Sequence, residues 1–199
     1  MKKYALLSAV VLCSASVFGG SITPGTTWYE FDFGLATSPA VGCGDPGTNC
    51  TTTQNPVADK TNTVPWTFTL AGTGSIFVLD LGAIGDQFQI FDNLISLGLT
   101  SAITAGDGTN PCGFDIACAN GDSRYSRGLF ALGSGFHSIT IDVIQNAAGS
   151  TAGQAVFQVT PVSASVPDTG ASVLLFGISL VVILFTQTRK LFAGSHPNI

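Results

Sequence analysis

The sequence predicts an all-β fold: a two-sheet, jelly-roll-like β-sandwich over residues 20–160, followed by a single C-terminal transmembrane helix. Three observations carry this expectation. Eight short segments enriched in β-branched and aromatic residues recur between Gly- and Asn-containing turns. No stretch between residues 20 and 160 sustains a helical period. Near the C-terminus stands a long uncharged, apolar run. The chain of 199 residues is 45% hydrophobic and only 10% charged, with 14 Phe, which excludes a disordered chain held open by charge.

In chain order, Lys2 and Lys3 form a positive start to an apolar stretch over residues 4–18 that ends at small residues, the pattern of a secretory signal peptide spanning residues 1–19. Cleavage after Gly19 fits the small side chains at Val17 and Gly19. Cys13 follows Leu12, bulkier than a lipidated signal tolerates, and the apolar run continues past it. The strand signals then fall at residues 26–33, 66–70, 75–81, 87–91, 94–99, 128–132, 136–145 and 154–160. Within 136–145, Ile139, Ile141 and Val143 share one face, expected to be core, while Ser138, Thr140 and Asp142 share the other, expected to be wet.

Residues 161–168 contain Pro161 and Pro167 among small residues and read as a linker. Residues 169–188 carry no charge, and at 1.5 Å per residue they span about 30 Å, the thickness of a hydrocarbon core. A buried core helix would be amphipathic, whereas this run is apolar all round. Arg189 and Lys190 follow at once as a membrane stop. The positive-inside tendency holds residues 189–199 in the cytoplasm and puts the sandwich outside the inner membrane.

Immediately before the helix stands Val166-Pro167-Asp168-Thr169-Gly170. This motif, the apolar helix and the basic stop together resemble the C-terminal tail of the PEP-CTERM proteins, with VPDTG standing where the commonest form reads VPEP. The same five residues also resemble the L-P-x-T-G sortase signal, with Val in place of Leu. Pro65-Trp66-Thr67-Phe68, the stretch Gly85-Asp86-Gln87-Phe88-Gln89-Ile90-Phe91-Asp92-Asn93 with Ser96-Leu97-Gly98, and residues 128–141 resemble β-rich PEP-CTERM ectodomains. The resemblance implies an exported, non-enzymatic protein of the cell surface or extracellular matrix. Its expected partners are an exosortase-type enzyme acting at the motif, the inner membrane before processing, and extracellular polysaccharide. No cofactor is implied.

Four cysteines remain outside the signal, an even set that favours disulfides in an exported chain. Of three pairings, Cys43 with Cys50 and Cys112 with Cys118 is preferred, because each closes a short Gly-, Asp- and Asn-rich loop. A zinc site is the rival reading, but its spacings exceed the usual two to four residues between ligands. The net charge of −5 provides no footprint for nucleic acid.

Catalytic constellations are thin, and no catalytic residue is assigned. A Ser-His-Asp triad outside the membrane would have to use His137, which has the parity of Ile139 and reads as a hydrogen-bonded residue at the lip of the core. Glu30 and Asp32 share a strand face in the manner of paired glycosidase carboxylates; Leu35 stands where a third acid would fall, so a solvated face is expected instead. Asp107, Asp115 and Asp122 lie in a Gly- and Asn-rich loop and offer oxygens to calcium, at a spacing unlike an EF-hand. Trp28, Tyr29 and Trp66 are candidates for stacking on sugar rings, with Trp66 reading more readily as core. A carbohydrate- or calcium-binding surface module is thus the alternative function.

Overall fold

The computed structural model describes residues 19–102 and 108–162. Nine strands and one short helix run in the order β1 (Trp28–Phe33), β2 (Val41–Gly42), β3 (Trp66–Leu70), β4 (Gly74–Leu81), β5 (Gln87–Asp92), β6 (Ile95–Leu99), α1 (Ile116–Gly121), β7 (Arg127–Leu132), β8 (Gly135–Gln145) and β9 (Gly153–Pro161). They form two antiparallel sheets. One has the order β2-β1-β9-β4-β7, the other β3-β8-β5-β6. All eight expected strands are present, within two residues of the expected bounds.

Alternation along the strands brings the sheets together. Phe31 and Phe33 of β1, Ile76 and Val78 of β4, and Phe157 and Val159 of β9 meet Trp66 and Phe68 of β3, Phe88 and Ile90 of β5, and Ile139, Ile141 and Val143 of β8 in one buried cluster. The expected parity of β8 holds: these three residues are fully buried, while Ser138, Thr140 and Asp142 on the other face are half-buried. Aromatic rings interlock across the layer. Phe88 meets Phe31 edge-on at 5.5 Å and Phe33 at 5.1 Å, and Trp66 leans on Phe157 at 4.9 Å. Each such side chain withdrawn from water contributes roughly 1.5–3 kcal/mol before entropy is counted.

A second, smaller core lies on the outer face of the five-stranded sheet, where Leu79, Leu81 and Val156 are roofed by Ala58, Ile116, Ala119 and Tyr125. The sequence reading missed two elements. β2 is two residues long, too short to alternate. Helix α1 is six residues long and shows no period; it forms because the Asp115 side chain accepts the Cys118 amide hydrogen and caps its N-terminus. The edge strand β3 is covered by the N-terminal segment, whose Ile22 amide donates to the Thr67 carbonyl at 2.9 Å.

Candidate functional site

The sorting motif Val166, Pro167, Asp168, Thr169 and Gly170, the membrane stop Arg189 and Lys190, the predicted signal residues 1–18 and Asp107 lie outside the described residues. Among the described residues no helix is long and apolar enough to cross a membrane.

The cysteines pair as expected. Cys43 bonds Cys50 with their Cα atoms 5.7 Å apart, and Cys112 bonds Cys118 at 5.5 Å. Both separations fit disulfide geometry and an oxidising compartment. Sulfurs bonded to each other are no longer thiolates, so these cysteines do not form a zinc site.

Glu30 departs from expectation. It shares the outer face of β1 with Asp32, but instead of being solvated it is fully buried, its carboxylate within 4.8 Å of the Cys43 and Cys50 sulfurs. Burial raises its carboxyl pKa, opposed by Thr53 and, more distantly, Lys60. Asp32 is half-buried and spends its two oxygens on the amides of Phe33 and Asn49, at 2.9 and 3.0 Å. The loop over residues 43–62 folds across this sheet face, which a strand pattern alone does not reveal.

His137 sits at the lip of the core, 4% exposed, with Nδ1 2.8 Å from an Asp92 oxygen and Nε2 3.1 Å from the Gly133 carbonyl. Its ring stacks on Phe68 at 5.1 Å. With both nitrogens engaged it has no free base to offer a hydroxyl. Of the loop acids, Asp115 is the helix cap. Asp122 pairs with Arg124 at 2.6 Å, an arrangement that lowers its pKa to about 2. Trp66 is wholly buried and donates Nε1–H to Asn62, and Tyr29 is buried with its hydroxyl bonded to Thr23. Only Trp28 reaches the surface, edge-on to Phe77, so the three rings do not form a common platform.

A pocket of about 270 Å³ opens where β1, β9 and the β4–β5 turn meet, lined by apolar residues such as Leu81 and Phe114 and by Asp32, Asn49, Asp86 and Gln154. Asp86 forms with Asp80 a pair of acids that the sequence alone does not single out. Asp80 has no exposure and neither of its carboxylate oxygens has a hydrogen-bond partner. Burial drives its pKa well above the carboxylate range, and the neighbouring Asp86 carboxyl pushes the same way. The amides of Asp86, Gly85 and Leu81 oppose the shift. Asp86, 1% exposed, accepts the Ala147 amide hydrogen at 2.8 Å, yet burial still raises its pKa to about 6. Strand parity held the signal for Asp80: it follows Ile76 and Val78 at the inward positions of β4, where an acid has no ordinary place. Compared with known proteins, the chain matches no family model and no curated sequence.

Proposed function

We propose that the chain is an exported, non-enzymatic protein of the cell surface or extracellular matrix, carried to the inner membrane by its apolar tail and processed there by an exosortase-type enzyme at Val166 to Gly170. The observation that carries this reading is the pair of short disulfide loops, which suit a domain that folds outside the reducing cytoplasm. The strand order adds support. With the two-residue β2 set aside, the remaining eight strands run 1-8-3-6 in one sheet and 2-7-4-5 in the other, the order of a jelly roll, a fold common among surface and capsid domains. Fold alone assigns no activity.

The motif has a physical rationale as a recognition sequence. Pro167 fixes its own φ and biases Val166 towards an extended conformation, and Gly170 leaves the neighbouring bonds open to attack. Changing Pro167 and Asp168 to Ala should leave export intact and trap the full-length, membrane-held form, read by intact mass. Recovery of the wild-type chain with residues 169–188 still attached, in cells with an active exosortase, overturns processing. The pocket beside Asp32, Asp86 and Gln154 favours a second reading, a ligand-binding surface module delivered by the same route.

A further inference from the structure

Glu30 is a buried acid in need of a purpose. It stands mid-strand in β1 with no exposure, and neither of its carboxyl oxygens has a hydrogen-bond partner. A buried carboxyl is normally paired with a cation or fully hydrogen-bonded. The charged groups that act on Glu30 do not supply that pairing. Lys60 acts on it through its charge alone, with its ammonium bonded to the Thr52 hydroxyl at 3.2 Å, and Asp32, on the same strand, is a second acid. The Thr53 amide and hydroxyl favour the ionised form without completing a hydrogen bond to either oxygen.

A second observation shows what the carboxyl faces. One of its oxygens and the sulfurs of Cys43 and Cys50 all lie within 4.8 Å of one another. Both cysteines are half-buried, so the disulfide keeps a side in solvent while the acid behind it has none. The second disulfide lacks this arrangement: among the described residues no carboxyl or imidazole stands within the same distance of both the Cys112 and Cys118 sulfurs. The chain therefore carries two short disulfides of similar loop size, one with a buried acid against it and one without.

In thiol–disulfide exchange the leaving sulfur departs as a thiolate, and the step quickens as that charge is relieved. A protonated carboxyl beside the bond relieves it by giving up its proton, whereas an ionised one repels both the incoming and the departing thiolate. We propose that Cys43–Cys50 is an exchangeable disulfide, reduced by a dithiol with Glu30 as the proton donor to the leaving sulfur. One thiolate of the dithiol attacks one cysteine sulfur, the Cys43–Cys50 bond breaks as a mixed disulfide forms, and the freed cysteine takes the Glu30 proton. The second thiolate of the dithiol then attacks the dithiol's own sulfur in the mixed disulfide and releases the other cysteine, which takes its proton from solvent, as Glu30 does in turn. Two electrons pass to the chain, and the dithiol leaves as a disulfide. The freed sulfur must draw away from its former partner in any case, and the carboxyl already stands beside it. The inference goes beyond the export reading and requires only that the exported domain meet a dithiol.

The test uses the full chain in detergent, reduced by dithiothreitol between about pH 5 and 8, with each opening rate divided by the concentration of dithiothreitol thiolate. Acid quenching, alkylation of free thiols and peptide mass then follow the two disulfides separately in one sample. At the acid end Cys43–Cys50 should open at least tenfold faster than Cys112–Cys118. Its normalised rate should fall as pH rises and Glu30 loses its proton, while that of Cys112–Cys118 stays flat. Glu30→Gln keeps the shape and removes the proton, so it should slow Cys43–Cys50 at least tenfold at the acid end, flatten its profile and leave Cys112–Cys118 unchanged. The wild-type profile involves no variant and decides the matter even where Glu30→Gln does not fold. A flat normalised profile for Cys43–Cys50 in the wild type, or opening no faster than Cys112–Cys118, overturns the proposal in favour of a purely structural bond, as does a slope that survives in folded Glu30→Gln. Sorting of the tail is read by mass in cells, so failure at this disulfide and failure of the export reading are told apart.

Discussion

Stability should fall as pH rises from about 4 to 7, opposite to the trend set by ordinary salt-bridged carboxylates. Asp86 titrates near 3.8 when unfolded and at about 6 when folded. The native state therefore holds its proton more tightly, so the associated stability is fully present below about 3.8 and is lost as pH climbs through about 6. A shift of about two units at about 1.4 kcal/mol each gives roughly 3 kcal/mol. Asp80 and Glu30 are raised too and act in the same direction. Asp122, lowered to about 2 beside Arg124, acts oppositely and only in stronger acid. Urea unfolding at a series of pH values, in chelator and followed by fluorescence of the fully buried Trp66, measures the effect. Asp86→Asn should flatten the profile by about 3 kcal/mol between pH 4 and 7. A wild-type stability that is constant or rises over that range refutes the reasoning, because it would mean that the buried acids ionise without penalty.

Two further outcomes follow from local geometry. Leu94 sits in the β5–β6 turn with φ of 67° and is 87% exposed, so Leu94→Gly should raise the unfolding free energy by about 1 kcal/mol through relief of left-handed strain; a lower Tm would count against it. Replacing Cys43 and Cys50 together by Ser opens a loop with a sequence separation of 7 and should lower stability by about 2.5 kcal/mol in the chain-entropy model, checked by the urea midpoint.

What the sequence reveals and what it hides divides along physical lines. Strands with a clean period of two, such as β8, declare both their existence and their buried face, because alternation is a local property. The disulfide pairing is legible for a similar reason, since each bond closes a short loop of its own. Glu30 was misjudged because parity tells which side of the sheet a residue takes but not whether that side is roofed. The roof over Glu30, which brings Cys43, Cys50 and Thr53 against it from a distant loop, is visible only in three dimensions. Helix α1 escaped notice because six residues make under two turns, too few to repeat a pattern. Asp80 was readable in principle from its inward parity, but its pairing with Asp86 depends on how the β4–β5 turn folds back.

The position of β9 bears on how the domain carries mechanical load. This last strand is central in its sheet, laddered to β1 along residues 28–33 on one side and to β4 along residues 74–81 on the other. Its C-terminal end leads directly into the tail. Tension applied through that tail runs along the strand axis and loads both ladders in shear, so many hydrogen bonds must yield together instead of unzipping one by one. Any load applied at the C-terminal end of β9 would thus enter the domain through a doubly laddered central strand, with no added element needed to reinforce it.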